Sequence, residues 1–226
     1  MKVVRPTNVI LSGMVLCAGQ SWAQTVTTNA ATATNSPPPA LENKEEKSWD
    51  LGLSVYGFIV PDSREYVQPT ITADHGLLHL EARYNYENLK TGSVWAGANF
   101  GGGEKLAWTI TPMLGGVFGN TAGVAPGYSG TLSWWKLELY SEGEYVFDTR
   151  DSSGNFFYNW AELSLAPVDW FRFGMVTQRT RVYQTDREIQ RGVLVGFTIK
   201  KVSLTVYVFN PDESKPTVAV AGSLNF

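Results

Sequence analysis

From Leu78 to Glu87 the chain alternates between two kinds of residue without a gap. Leu78, Leu80, Ala82, Tyr84 and Tyr86 take one parity, and His79, Glu81, Arg83, Asn85 and Glu87 take the other. A repeat of two residues is the repeat of an extended strand, so one face of this sheet is apolar and the other is charged. The pattern recurs. Trp135, Leu137 and Leu139 alternate with Lys136, Glu138 and Tyr140, while Val202, Leu204, Val206 and Val208 alternate with Ser203, Thr205, Tyr207 and Phe209. Such a sheet has two ways to satisfy its apolar side. It packs against a second sheet, or it closes on itself, presents that side to hydrocarbon and encloses the charged side.

Twelve segments carry the alternation: 49–60, 66–74, 77–87, 93–100, 105–118, 124–133, 135–147, 156–166, 170–183, 190–200, 202–209 and 216–226. Ten strands is the alternative count. The linkers fall into two sets. "PDSRE", "NLKTG", "GNTAGVAPG", "DTRDSSGN", "QTDRE" and "NPDESK" are longer and polar; "DHG", "GGGEK", "SWW", "PVD" and "KK" are shorter. Strict alternation of long and short connections is the rhythm of an up-and-down barrel in a membrane, and an even strand number puts both chain ends on the short-turn side. No apolar run of about 18 residues occurs after residue 47, so no helix is expected to cross a bilayer.

The N-terminal region reads as two processing and tether segments. Residues 1–23 carry Lys2 and Arg5, a short apolar stretch from Val9 to Ala18, and the cleavage-site pattern Ser21-Trp22-Ala23 of a secretory signal peptide. A lipid-modified Cys17 is disfavoured, because Leu16 precedes it where a small residue is expected. Cleavage after Ala23 removes the sole cysteine, and with it any disulfide or thiol chemistry. It leaves 16 of the 18 basic side chains against 21 acidic ones, so there is no basic surplus for nucleic acid. Residues 24–47 are Thr-, Ala- and Pro-rich, then charged, and read as a flexible periplasmic tail. Residues 48–226 are the single β domain.

Aromatic residues fall in two bands. Trp49, Trp108, Trp134, Trp135 and Trp170 lie near the short turns, and Tyr86, Phe118, Tyr128, Tyr145, Phe147 and Phe157 near the longer loops. Aromatic side chains favour the two membrane–water boundaries. The chain ends "PTVAVAGSLNF", with Val218, Val220, Gly222, Leu224 and Phe226 on one face. A final strand ending in an aromatic residue resembles the last strand of bacterial outer-membrane β-barrel proteins, the porin-like class. That resemblance covers the leader, the last strand and the overall rhythm. It implies a transmembrane, antiparallel up-and-down barrel of about twelve strands in the outer membrane. It also implies two partners: outer-membrane lipid, and the assembly machinery that reads the strand ending at Phe226.

On this reading the lipid-facing set includes Leu78, Leu80, Tyr84, Leu137, Val195, Phe197, Val206, Leu224 and Phe226. The lumen-lining set includes His79, Glu81, Arg83, Lys105, Lys136, Glu138, Glu142, Arg172 and Lys200, of mixed sign. Twelve strands tilted by about 40° enclose a lumen of roughly 10 Å or less. The expected function is a passive channel for small polar solutes. A barrel plugged by its own ion pairs is the alternative, since charges in a dry interior must pair. A lipid hydrolase is a third reading. It needs a nucleophile and a base, and His75 and His79 are the only histidines. The spacing of Glu138 and Glu142 is better read as lumen lining than as a glycosidase pair. "GGGEK" lacks the strand–loop–helix setting of a phosphate cradle. No cofactor and no metal site are expected.

Overall fold

The computed structural model describes residues 48–61, 63–179 and 189–226. The expected leader and tail, 1–23 and 24–47, lie outside the described residues, as does the 180–183 end of the ninth segment. The strands are β1 (Asp50–Ile59), β2 (Tyr66–His75), β3 (Leu78–Tyr84), β4 (Thr91–Ala98), β5 (Phe100–Gly102), β6 (Leu106–Gly119), β7 (Gly123–Trp134), β8 (Leu137–Asp148), β9 (Phe156–Val168), β10 (Phe171–Arg179), β11 (Gln190–Ile199), β12 (Val202–Phe209) and β13 (Thr217–Asn225). Among the described residues, the only helical element is the 3-10 turn Ser152–Gly154.

β4 and β5 are one strand interrupted at Asn99. Both follow a single register along β6, with Gly97 opposite Met113 and Phe100 opposite Ile110. Every sequential neighbour pairs antiparallel, and β13 pairs with β12 on one side and β1 on the other. The sheet is therefore a closed antiparallel barrel of twelve strands. Closure leaves no row of unpaired N–H and C=O groups, the condition for β structure to survive in hydrocarbon.

The tight turns, together with Asp50 and Asn225, share one end of the barrel. Two of these turns are made by residues in the left-handed region, Trp135 (φ 54°) and Lys200 (φ 56°), each followed by a lysine. Positive φ at the first turn position matches the twist of a two-residue hairpin. The longer connections occupy the opposite end.

Alternation sorts side chains as the strand geometry requires. Leu139 of β8, Leu163 of β9, Met175 of β10 and Val193 of β11 lie side by side in register on the outer face, all well exposed. The inner face divides by level. The short-turn half is polar, with Ser54, Thr131, Ser164 and Thr205 buried there. The loop half is packed with rings and aliphatic groups. Phe58, Phe209 and Tyr207 are at most 1% exposed, and Val146, Val176 and Leu194 are buried beside them. The hydrophobic cluster of this protein thus lies inside the barrel, toward one end.

One segment breaks parity. Asn85 takes φ 57°, and its side chain holds the kink by donating to the Val67 carbonyl (2.9 Å) and accepting from the Lys90 amide (2.7 Å). Asn tolerates this left-handed conformation better than other residues with a side chain. The kink changes the phase, so Tyr86, expected on the outer boundary, turns inward and is buried, as is Glu87 after it.

Close packing of the wall depends on one glycine in particular. A Cβ on Gly115 would stand 2.4 Å from Cδ2 of Trp95, whose indole lies across β6. Gly115→Ala is expected to displace that ring and lower stability by about 1–3 kcal/mol, the usual penalty for overpacking. The temperature at which the folded form loses its distinct gel mobility measures this. An unchanged temperature would show that the indole is not confined there.

Candidate functional site: the barrel interior

Two side-chain nodes bridge the interior. The first centres on Arg83 of β3. Its Nε donates to Glu81 Oε1 (2.7 Å), its Nη2 to Glu81 Oε2 (3.0 Å) and its Nη1 to Glu144 Oε2 (2.9 Å) on β8. The guanidinium also lies over two rings, 4.3 Å from the centroid of Tyr86 and 4.6 Å from that of Trp95. Arginine suits this position because its planar fork meets a carboxylate with two bonds while its faces stack on aromatic rings. Tyr86 extends the node by donating its hydroxyl to Glu142 Oε1, and Tyr140 donates to Glu142 Oε2 (2.6 Å).

The second node centres on Glu162 of β9. Its Oε1 accepts from Trp160 Nε1 (2.9 Å) and the Tyr207 hydroxyl (2.8 Å), and its Oε2 accepts from Arg172 Nη1 (2.8 Å). Arg172 also reaches Thr205 (3.2 Å). Tyr56 of β1 joins this node across the barrel, edge-on to Trp160 at 5.8 Å. Between the nodes lies a cavity of about 60 Å³, walled by the hydroxyl groups of Ser54, Thr70, Thr72 and Ser129 and by Glu81 and Glu142.

Each residue named from the sequence has a definite place. His79, Glu81, Arg83, Glu142 and Arg172 lie in the interior network, and Glu138 lies on the same face, accepting from Ser133 (3.3 Å). Three of the expected lumen residues lie elsewhere. Lys105 is exposed in the turn between β5 and β6, and Lys200 is exposed in the turn between β11 and β12. Lys136 occupies the β7–β8 turn and donates to the Pro167 carbonyl. The reason is the turns themselves: the two-residue hairpins at 135–136 and 200–201 and the three-residue connection at 103–105 end the ladder before these lysines, where simple extension of the parity assumes it continues. The expected balance of inward charge goes with them. Asp74, Glu81, Glu87, Glu138, Glu142, Glu144 and Glu162 point inward among the described residues, against Arg83, Arg172 and His79.

On the other face, Leu78, Leu80, Tyr84, Leu137, Val195, Phe197 and Val206 are exposed outward. Leu224 shares their parity and is half-buried, and Phe226 is exposed at the barrel end, with its amide donating to the Leu51 carbonyl (3.0 Å). The aromatic lining of the interior was missed from sequence. Trp95, Tyr158, Trp160 and Tyr207 all carry the polar-face parity, and that parity was the available signal.

His79 does not stand as a catalytic base beside a hydroxyl. Its Nδ1 is 2.8 Å from Asp74 and its Nε2 is 3.3 Å from Glu81, so both ring nitrogens face carboxylates.

No family model and no curated protein matches the chain. A solved structure, that of KdgM porin, superposes on it with a TM-score of 0.53 at 11% identity, covering 77% of this chain and 99% of that one. The shared feature is the fold, a closed antiparallel β-barrel like that of the porin structure. At this identity the likeness is one of overall fold. The porin-like wall here encloses an interior built from this chain's own carboxylates and rings.

Proposed function

We propose that the protein is embedded in the bacterial outer membrane and acts as a narrow passive channel for small polar solutes. The location is supported by the outer face, where exposed aliphatic side chains run in register around a closed sheet. Outer-membrane lipid is the partner of that face, and β13, followed directly by Phe226, is the element offered to the assembly machinery. The observation that carries the channel reading is the cavity of about 60 Å³, bordered by hydroxyl and carboxylate side chains as well as tyrosine rings, inside a porin-like wall. Its hydroxyl and carboxylate groups replace part of a solute's hydration shell, as channel linings do. Its size favours ions and solutes of a few heavy atoms over sugars.

A second reading, a closed barrel with a structural role, is favoured by the ring-packed loop half, where Phe58, Tyr207 and Phe209 are almost fully enclosed. Recording from the purified protein in planar bilayers separates the two. The expected result is small, discrete conductance steps, together with vesicle swelling in glycine and none in a disaccharide. Silent bilayers from protein that keeps its heat-modifiable gel mobility would retire the channel reading in favour of the closed barrel.

A further inference from the structure

Charge inside the barrel is unevenly paired. Among the described residues, the two interior guanidiniums are already committed, Arg83 to Glu81 and Glu144, and Arg172 to Glu162. Three interior carboxylates have only neutral donors among the described residues. Glu142 is held by two tyrosine hydroxyls, Glu138 by Ser133, and Glu87 by Ser93. An independent observation points the same way. Glu87 Oε2 and Glu144 Oε1 are buried with no hydrogen-bond partner among the described residues, on side chains at least nine-tenths enclosed. A buried carboxylate oxygen without a donor is costly, and a proton, a water or a small hydrated cation relieves it. The lysines that would offset this charge sit in exposed turns at the short-turn end, outside the enclosed region.

We infer that the channel selects small cations over anions, with Glu142 at the cavity wall and Glu138 nearer the short-turn mouth as the residues that set the preference. This rests on the channel reading above. An enclosed region lined by one sign of charge concentrates counter-ions, and low-dielectric walls strengthen the effect. An entering anion would meet a carboxylate excess and no uncommitted guanidinium among the described residues. An entering cation would find oxygens whose present donors are hydroxyl groups.

The test is the reversal potential of the reconstituted full chain under a potassium chloride gradient. Potassium is expected to permeate about tenfold better than chloride, the lower end of the enrichment that a one-sign cleft produces. The double variant Glu138→Gln with Glu142→Gln is expected to lose most of that preference while still conducting. Glu138→Gln alone, at a half-buried site with one long hydrogen bond, keeps the test available if the double variant does not fold. It is expected to show a smaller loss in the same direction. A conducting wild-type barrel with no ion preference, or with a preference for chloride, overturns cation selection and leaves the channel reading standing. Cation preference unchanged in a folded double variant overturns the assignment to these two residues. Absence of conductance removes the channel reading and this inference together.

Discussion

Arg83→Met is expected to destabilise the barrel by about 3–5 kcal/mol, the range for removing one member of a buried ionic group. Arg83 is 7% exposed; among the described residues it is the cation paired with Glu144, and it shares Glu81 with His79. Methionine preserves much of the packing volume between Tyr86 and Trp95 but leaves two carboxylates facing each other in an enclosed space. The loss is therefore dominated by uncompensated charge, which gives the prediction a second arm. Glu81→Gln and Glu144→Gln, added to Arg83→Met, should recover much of the lost stability, because neutral amides need no counter-charge. Urea titration of the barrel in lipid vesicles, followed by tryptophan fluorescence, reads both arms. A single variant as stable as the wild type would mean that the node is not a structural centre. A triple variant no better than the single would mean that packing, not charge, was lost.

Leu163→Arg should cost about 2–4 kcal/mol in a bilayer, the range for arginine on the lipid face near the midplane. Leu163 sits near the middle of β9, between Leu139 and Met175 on the outer face, and is 43% exposed. In water an arginine at so exposed a position would be nearly neutral. The penalty comes wholly from hydrocarbon. Measuring the same variant in thick and thin bilayers sharpens the test, because a thinner bilayer lets the side chain reach the headgroups. A cost near zero in both would show that this face does not meet lipid, and the membrane location would fall with it.

The strand rhythm carried most of the architecture. Alternation at Leu78–Tyr84, and at the strands around Leu137, Val195 and Val206, sufficed to lay out twelve strands and two faces, because a period of two is imposed by backbone geometry whatever the surroundings. What escaped was set by single residues. Asn85 adopts a left-handed conformation, and this one dihedral carries Tyr86 from the outer boundary to the interior. Asn at a strand end is too common to reveal such a kink in advance. Lys105, Lys136 and Lys200 were misplaced because turn type decides where a ladder stops, and neighbouring positions in these hairpins look alike in sequence. The internal rings were hidden for another reason. Aromatic residues serve equally at a membrane boundary and in a packed interior, so Trp160 and Tyr207 needed their parity weighed above their chemistry. The pairing of Arg83 with Glu144 across four strands of the wall is a property of the closed form and has no local signature.

The seam where β1 meets β13 has a consequence for how the molecule is made. Gly52 stands opposite Asn225, and the Leu51 and Phe226 backbones exchange two hydrogen bonds, so the earliest and latest strands are stitched to each other. Until that stitch forms, an open twelve-strand sheet carries two raw edges, each a row of main-chain dipoles that hydrocarbon cannot solvate. Partial insertion is thereby disfavoured at every stage but the last. With the proposed membrane location, insertion is expected to be all-or-nothing, the final strand acting as the latch.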